Sequence, residues 1–469
     1  MTMPIGCVVE SDLDRALIAV YPQEITKIPI VVGTYVYVAK QDGDKKVLMT
    51  IVNLKRIPNQ VAKRKFPFLA NICSQVFSET GVLFARAEII GVIESNKIKN
   101  LLVPLLIGDR AYLVGDEEIK DLSSQEQNVI TLGHMKLANM YDEKEGTVKE
   151  VKMTIGLDID KIVRSNMLIS GLEEFRLYDL AVDLIRKISS TIDNYNFVVF
   201  DTTGNFVHLL KNNADKNKIR VYRAAEISGL LNNGFGFEYR TREEIVKIMS
   251  AKIGYKNASQ LEKILESVGD SYPLSMDKIV KVAEALEYEE GFINLIKNIW
   301  QNNAGALLEK GTINIIDLHK GVRLINQTQL IYTFFRYVYD ELLRRYEKNE
   351  NVKRFFIIDT AERFIPKKEI ISEDVVNLCK DSIVNIMIKN RMFRSSIICV
   401  TETPSMMAPV VLHLVKNVMC TKIIDKREIN VLMRFFNFPR KIISNIDEDE
   451  YVLKSDYIPI GRYLVLRFQ

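Results

Sequence analysis

The chain contains few cysteines and histidines, which build zinc sites and disulfide frameworks, and no apolar run long enough to cross a membrane. Its 469 residues include five cysteines, four histidines and one tryptophan. The cysteines have no C-x-x-C spacing, so the sequence gives no zinc signature and favours a reduced, intracellular protein. The longest apolar runs, such as NLLVPLLIG, are too short to span a bilayer, and no signal-peptide pattern is present. We therefore expect a cytoplasmic protein without membrane association.

The excess of positive over negative charge is also small. The formal net charge is only +4, which is too small to indicate nucleic-acid binding by the whole molecule. A hydrophobic fraction of 47% and a charged fraction of 26% are ordinary for a globular protein. The length is sufficient for two or three domains with substantial cores. Any contact with DNA must then depend on a local basic patch.

Residues 1–125 are predicted to form a small β-barrel, because many short apolar strands are separated by turns that contain glycine, asparagine or aspartate. The predicted strands are ALIAV, PIVVGTYVYVAK, KVLMTIVNL, LFARAEIIGVIE, LLVPLL and AYLVG. The basic, proline-containing segment Arg56–Phe66 is predicted to be a loop. Its cluster Lys63-Arg64-Lys65 is either an ordinary solvated surface or a contact for nucleic acid. Residues 126–150 are interpreted as a connector.

Residues 151–469 show a different pattern, in which strands alternate with helices. The apolar strands are MLIS, FVVFD, TINIIDL, RFFIID and SIICVTE, with RYLVLRF as a closing strand. Such buried strands separated by helices predict a parallel sheet with helices on both faces. A helical insertion is predicted at about residues 240–305. Its apolar positions require an internal core and are Ile245, Ile248, Ile253, Leu261, Ile264 and Leu265.

A nucleotide-binding loop is expected after the first of these strands and is missing. The strand NMLISG and the amphipathic helix after it stand where a P-loop nucleotidase carries G-x-x-x-x-G-K-[ST]. In this register Gly171 is present. Arg176 replaces the second glycine, Leu177 the phosphate-binding lysine and Tyr178 the magnesium-binding hydroxyl residue. Two glutamates also occupy the loop, where they would repel a phosphate.

The order of the sequence elements resembles the HerA family of the HerA/FtsK superfamily of hexameric DNA-translocating ATPases. PIGCVVES, VVGTYVYV and LLVPLLIGDRAYLVGDEEI are similar to that family's N-terminal barrel. ITLGHMK, LDIDKIVRSNMLISG, FVVFDTTGNF, TINIIDL, FFIIDTAERFIP and RMFRSSIICVTETPS are similar to its successive core segments. The resemblance implies an α/β protein in which a small β-barrel precedes a RecA-like, P-loop NTPase-type parallel sheet core with a helical insertion.

The departures from the family fall on the positions that carry chemistry. The family's Walker B aspartate matches Asp359, but Thr360 stands where the family has a glutamate. Asn205 replaces the glutamate that follows strand two, and Glu402 replaces the sensor glutamine. Phosphoryl transfer requires a cation and a carboxylate that orients water. We therefore expect no ATP hydrolysis and no cofactor, and at most a metal ion at Asp359.

Several of these residues have two interpretations. Gly171 is either a helix-entry glycine or a phosphate contact. Arg176 either lies on the helix surface beside Glu173 or reaches a phosphate from an unusual direction. Asp359 is either a functional residue at a strand end or a relic that caps a turn. Arg391 matches an arginine before the family's sensor strand, so it either acts across a subunit boundary or lies on a surface helix end.

The best candidate for DNA binding is the segment Leu209–Arg223. Its basic residues Lys211, Lys216, Lys218 and Arg220 would contact phosphates without reading sequence if they line a ring pore, as the resemblance implies. A solvated hairpin tip is the alternative.

Three functions remain open from the sequence. The first is a non-catalytic ring or scaffold subunit in DNA processing, such as DNA repair. It would be a homo-oligomer, expected to be a hexamer, or would assemble with an active homologue. The resemblance implies a nuclease of the NurA type as a possible partner. The second is an active translocating ATPase with an aberrant P-loop, which would use ATP and magnesium. The third is a structural assembly protein with no DNA role.

Overall fold

The computed structural model of the chain describes residues 4–22, 30–39, 45–94, 97–99, 101–114, 128–142, 147–172, 176–213, 218–224, 246, 257, 259–268, 276–293, 307–319, 323–367, 373–438, 440–457 and 463–468. The two loop glutamates, Lys216 and much of the predicted insertion lie outside these residues. The chain forms two compact units. The first contains Met1–Lys161, Glu174–Arg176 and Lys416–Gln469, and the second contains Ile162–Glu173 and Leu177–Val415.

The N-terminal part of the first unit is a closed antiparallel barrel. Its strands are β1 (Gly6–Ser11), β2 (Arg15–Val20), β3 (Tyr35–Ala39), β4 (Lys46–Ile57), β5 (Val82–Glu94), β6 (Lys97–Lys99) and β7 (Arg110–Leu113). Six of them follow the order β2-β1-β7-β3-β4-β5, and β5 pairs with β2 to complete the circle, while β6 pairs with β5. The prediction of an N-terminal β-barrel is confirmed.

Alternation of side chains along the strands fills the barrel interior. Val36 and Val38 of β3 and Met49 and Ile51 of β4 are buried in one core cluster, as expected for residues that share one face of a strand. The register of β4 against β5 shifts at two places. Such irregularities bend a strand and help a small sheet to close.

A helix, rather than the predicted loop, occupies most of Arg56–Phe66. Helix α1 (Asn59–Lys65) is followed by α2 (Leu69–Ile72). Pro58 precedes α1, where its missing N–H removes no helical hydrogen bond. Ala62 is fully buried, so one face of α1 packs inward. The basic residues that suggested a loop form the last turn of this helix, where cations are favoured.

Two further expectations for the barrel region are wrong. LLVPLL is an irregular segment rather than a strand; Pro104 lacks a donor for a sheet ladder, and the side chain of Leu102 is 85% exposed. The chain is also not fully reduced, because Cys7 and Cys73 form a disulfide. Their sequence separation of 66 residues gives no recognisable motif, so only the folded barrel reveals the pair. Among the described cysteines, the remaining three are free and buried.

The rest of the first unit is a set of antiparallel strands. These are β8 (Val129–Asp142), β9 (Thr147–Asp158), β16 (Val415–Cys420), β17 (Glu450–Ser455) and β18 (Leu464–Arg467). They pair in the order β16-β17-β18-β8-β9. The residues interpreted as a connector therefore contribute a long hairpin, and RYLVLRF contains the predicted closing strand.

Helices α3 (Ile159–Val163), α10 (Lys426–Phe436) and α11 (Arg440–Asn445) accompany these strands in the sequence. The side chain of Asp425 caps α10 by accepting from the N–H groups of Arg427 and Glu428. This is the usual way to satisfy donors at a helix start.

The second unit contains a parallel sheet, as predicted. Its strands are β10 (Asn166–Ser170), β11 (Tyr195–Asp201), β12 (Ile219–Arg223), β13 (Thr312–Asp317), β14 (Lys353–Ile358) and β15 (Ser395–Thr401), in the order β12-β13-β11-β14-β15-β10. All residues of β10, β11, β14 and β15 are buried. The carboxyl ends of these strands therefore meet at one edge of the sheet. Together, the two units give an α/β protein with both antiparallel and parallel strand pairs outside the barrel.

Helices of the second unit connect these strands. They are α4 (Leu177–Thr191), α5 (Asn205–Asn213), α6 (Met276–Ala285), α7 (Leu324–Glu347), α8 (Glu373–Phe393) and α9 (Pro409–Leu414). In the insertion, helical residues 259–268 and α6 share a core that contains Leu261, Ile264 and Leu265. The predicted internal core is confirmed for these three residues; Ile245, Ile248 and Ile253 lie outside the described residues. Among the helices that are described, none combines the length and apolarity required to cross a bilayer.

Candidate functional site

A fully buried carboxylate, that of Asp359, lies directly after β14. Its Oδ1 atom accepts a hydrogen bond of 2.9 Å from the hydroxyl of Tyr178. Its Oδ2 atom accepts from the backbone N–H groups of Thr202 and Thr203, both at 3.0 Å, and from their hydroxyls, both at 2.9 Å. Five donors thus converge on one carboxylate. Because a buried polar group requires hydrogen-bond partners, these donors satisfy both oxygens of Asp359.

Tyr178 reaches this carboxylate from the first turn of α4. Leu177 and Tyr178 are 0% and 6% exposed, so both residues that replace the phosphate-binding pair face the interior. The Tyr178 ring packs edge-on against Phe206, with ring centroids 5.5 Å apart. Burial raises the pKa of Tyr178, and the nearby charge of Asp359 raises it further. The phenol therefore remains a hydrogen-bond donor at physiological pH.

The other donors come from the turn after β11, which has the sequence Asp201-Thr-Thr-Gly-Asn205. Asp201 is buried and accepts 2.8 Å hydrogen bonds from the N–H groups of Gly204 and Val207. These bonds satisfy donors at the start of α5. Gly204 has φ of 87°, a conformation that glycine adopts without strain. The turn is consequently held so that its threonines point donors at Asp359.

Asp201 is a second buried carboxyl at the same strand edge. Burial raises the pKa of Asp201 to about 6, the two N–H groups of α5 oppose that rise, and the negative charges of Asp359 and Asp317 add to it. Two carboxylates that share a buried region disfavour each other's ionisation. The site therefore contains two buried carboxyl groups. The oxygens of Asp359 accept five hydrogen bonds from the protein, and the pKa of Asp201 is raised.

Thr360 does not supply the acid that the family has at this position. It adopts a left-handed conformation with φ of 45°, and its hydroxyl lies 2.8 Å from that of Thr202. Since the Thr202 hydroxyl already donates to Asp359, Thr360 donates to Thr202. Thr360 thus contributes to the site indirectly, through its hydrogen bond to Thr202, whose hydroxyl donates to Asp359.

Sequence reasoning did not identify Glu362, which lies in the short helical turn after Asp359. Thr401, the last residue of β15, donates a 2.6 Å hydrogen bond to its Oε2 atom. Burial raises the pKa of Glu362, whereas the bond from Thr401 lowers it. The spacing Asp-x-x-Glu was the only sequence signal. Thr202 and Thr203 were missed for a different reason, since their role depends on contacts with residues more than 150 positions away.

Gly171 and Arg176 are the two described residues that match the glycines of the P-loop pattern. Gly171 follows β10 and has φ of 154°. Arg176 has φ of 66°, and its guanidinium carbon lies 4.2 Å from the centroid of the Phe468 ring. A cation over an aromatic face is a favourable contact. The Arg176 guanidinium is therefore engaged by an aromatic ring of the first unit.

Two other predicted residues have no described contact with Asp359. Arg391 is exposed in the last turn of α8, and Glu402 is half-buried just after β15. Asn205 is closer, since its side chain hydrogen-bonds Tyr178. Of the predicted vestigial site, the structure thus brings together Tyr178, Asn205, Asp359 and Thr360.

The predicted DNA-binding residues are distributed over a helix and a strand. Lys211 is exposed on α5, whereas Lys218 lies at the entry to β12 with its amine 6.0 Å from the Tyr195 ring centroid. Arg220 forms a 2.7 Å ion pair with Glu309. The segment 209–223 is therefore not a single loop, and Lys211 is its cation with the fewest described contacts.

The chemical capacity of this site is limited by hydrogen bonds that are already made. Both oxygens of Asp359 are engaged by protein donors, and Leu177 offers no positive charge. Within the part of the chain that the structure describes, no group of three or more metal-ligating side chains is arranged to hold an ion. Each oxygen of the Asp359 carboxylate therefore accepts at least one hydrogen bond from the protein.

Comparisons with known proteins give only distant similarity. No protein-family model matches the chain, and no curated protein matches it. The solved structures that resemble it include VirB4 of Thermoanaerobacter pseudethanolicus, with 10% identity, a TM-score of 0.43, and coverage of 74% of this chain and 97% of that one. The pCW3 conjugation coupling protein TcpA has 9% identity and a TM-score of 0.36, with coverage of 92% and 86%.

The genome packaging NTPase B204 of Sulfolobus turreted icosahedral virus 2 has 7% identity and a TM-score of 0.35, with coverage of 65% and 98%. Similarities this low do not determine a function.

Proposed function

We propose that the chain is a non-catalytic HerA-like ring or scaffold subunit associated with DNA processing or translocation, in which nucleotide chemistry has been lost. The observation that carries the proposal is the hydrogen bond from Tyr178 to Asp359. The tyrosine stands where a small hydroxyl residue would share a magnesium ion with this aspartate. Its phenol takes up the carboxylate oxygen that such an ion would need.

The loss of positive charge supports the same proposal. A phosphoryl group in transfer carries charge that a lysine and a metal ion must neutralise. Leu177 is fully buried and apolar, and Thr360 has no carboxylate to orient water. Removal of one charge-stabilising contact costs about 10²–10³ in rate. Loss of several such contacts leaves no efficient route to hydrolysis.

The DNA role and the assembly rest on the sequence resemblance and on the basic residues of α5 and β12. An oligomer, expected to be a hexamer or a mixed ring with an active homologue, would have to be held by protein contacts instead of shared nucleotide. A nuclease of the NurA type is the partner that the resemblance suggests. Neither ATP nor magnesium is a cofactor under this proposal.

The second candidate, an active ATPase with an aberrant P-loop, is favoured by Glu362. This residue supplies a carboxylate at the same strand edge, displaced by two positions from the expected one, and its pKa is raised by burial. A group of that kind can act as a general base.

Radiolabelled ATP turnover, with and without DNA, separates the two candidates. We expect no turnover by the parent. The triple variant Arg176→Gly, Leu177→Lys, Tyr178→Ser should also remain inactive, because Thr360 and Asn205 still lack carboxylates. Turnover by the parent that is abolished by Glu362→Gln would establish the second candidate instead. Retention of DNA that weakens with salt would exclude a purely structural role.

A further inference from the structure

A polar cleft opens at the carboxyl ends of β11 and β13, beside α5. Its volume is about 360 Å³. The cleft is lined by Thr203, Gly204, Asn205, Val207, His208, Lys211, Asp317 and His319. Ligand sites of open α/β sheets lie at this edge, and the volume is within the range of small-molecule pockets.

The walls of the cleft are fixed by hydrogen bonds. The carboxylate of Asp201 anchors the first turn of α5, and the Asp317 side chain accepts a 3.0 Å hydrogen bond from the His319 backbone N–H. Gly204 has no side chain, and a Cβ atom there would lie 3.4 Å from the His319 ring. The turn at Gly204 and the His319 ring therefore lie side by side in the lining of the cleft.

The cleft combines three kinds of polar group. His208 and Lys211 lie one helical turn apart on α5 and are both exposed, as is His319. Lys211 offers a cation, the two imidazoles offer flat rings with donors, and Asp317 offers an acceptor. Val207 is the one aliphatic lining residue, so an apolar ligand has little to bind. In the described part of the chain no metal-binding group of three or more side chains occurs, which disfavours a cation site.

We propose that this cleft binds one nucleotide unit of a single-stranded nucleic acid. Lys211 contacts a backbone phosphate, the imidazoles of His208 and His319 contact the face of an unstacked base, and Asp317 accepts from an exocyclic amine of that base. Histidine and other aromatic rings stack on bases without sequence preference, and lysine neutralises phosphate. The inference rests on the proposed association with DNA and assigns a strand state to it: single rather than duplex.

The cleft and the Tyr178–Asp359 pair are formed by different side chains, except that Thr203 borders both. The Thr203 hydroxyl donates to Asp359, so it is not a residue to change in a test. His208, Lys211 and His319 have no role in the hydrogen bonds around Asp359, and changes there leave those bonds intact.

Fluorescence anisotropy with a short labelled single strand tests this inference. The double variant His208→Ala, His319→Ala should bind the single strand about tenfold more weakly, because each stacked base contributes substantially. It should lose much less affinity for a duplex of the same length. Lys211→Glu, at an exposed position that tolerates polar change, should weaken both probes. Lys263→Glu, on the exposed surface of the insertion, is the matched charge control and should bind as the parent does.

A competition experiment distinguishes a nucleotide within a strand from a free nucleotide as the ligand of the cleft. An unlabelled strand should displace the probe at far lower nucleotide concentration than deoxyadenosine monophosphate, which carries an exocyclic amine, or inorganic phosphate. A monophosphate that competes as well as the strand would overturn the inference in favour of a free-nucleotide site.

The outcomes separate the two proposals. If the parent binds single strands and both cleft variants bind equally well, the cleft inference fails while the DNA role survives. If the parent binds no nucleic acid, the proposed DNA association fails and the cleft inference fails with it.

Discussion

The side chain of Asp359 is fully buried, and protein donors supply its hydrogen bonds. The five hydrogen bonds come from Tyr178, Thr202 and Thr203. Isolated buried carboxylates are strongly unfavourable, so each donor lost should be felt in the free energy of unfolding. A site that binds a metal ion would instead leave an oxygen of this carboxylate free to contact the ion.

Tyr178→Phe should destabilise the protein by about 1–3 kcal/mol, since it leaves a buried carboxylate oxygen without its donor. Denaturant unfolding monitored by circular dichroism measures the change. Tyr332→Phe is the control, because the Tyr332 hydroxyl accepts an exposed hydrogen bond of 3.4 Å from Arg336. Equal stability of Tyr178→Phe and the parent would show that the phenol contributes nothing to holding Asp359.

Asp201 should make stability depend on pH in a direction opposite to that of a paired carboxylate. Its pKa rises from 3.8 to about 6 in the folded protein, so the folded state binds the proton more tightly. Its contribution is complete below about pH 3.8 and is lost as the pH rises through about 6.

Relative to Asp201→Asn, which cannot titrate, the parent should gain about 1 kcal/mol when the pH falls from 7 to 5. Unfolding free energies measured across that interval test the shift. Parallel pH profiles for the two proteins would mean that the Asp201 pKa is not raised.

At the scale of elements, periodicity and composition predicted most strands of the barrel and of the parallel sheet, although β1 and β12 were not among the predicted strands. Short apolar runs such as FVVFD and SIICVTE are typical of buried strands. The helix α1 was missed because its basic residues suggested solvent, although Ala62 gives it a buried face. LLVPLL was mistaken for a strand because hydrophobicity alone does not reveal exposure.

The candidate site was less predictable than the elements that hold it. The exchange of lysine and hydroxyl for Leu177 and Tyr178 was visible in the sequence, as was Asp359. The bond between Tyr178 and Asp359 joins residues 181 positions apart, and it depends on how α4 lies against β14. The same limit concealed the threonines of the β11 turn and the histidines of the cleft.

The basic residues of the segment Leu209–Arg223 should bind DNA without sequence preference. Replacement of Lys211, Lys216, Lys218 and Arg220 by alanine should weaken all sequences about equally and flatten the salt dependence, whose slope is roughly −0.9 per duplex phosphate contact. Arg220→Ala alone should have a smaller effect than Lys211→Ala, since Arg220 is paired with Glu309.

Affinity measured over a salt series tests this prediction. The double change Lys263→Ala, Lys281→Ala removes exposed lysines of the insertion and should leave the slope unchanged. Parental binding by the quadruple variant would remove the main residue-level support for a DNA role.

At the scale of the whole molecule, the chain contains an N-terminal barrel and a parallel sheet. The proposed function requires that such a chain assemble through protein contacts alone. We therefore predict an oligomer, with six copies as the expected number, that forms without nucleotide. Native mass spectrometry at micromolar concentration should find a mass well above that of one chain. A monomer throughout that range would contradict the proposed ring.

The central claim is that Tyr178 occupies the place of a nucleotide's metal and phosphates, and magnesium-ATP binding tests it most directly. A ligand that binds only the folded state raises the unfolding temperature by mass action. Thermal unfolding should therefore be unchanged by millimolar magnesium-ATP in the parent and in Lys211→Glu, the variant that removes the cleft's cation. A clear rise that persists in Lys211→Glu would contradict the account, because the nucleotide would then be bound outside the cleft.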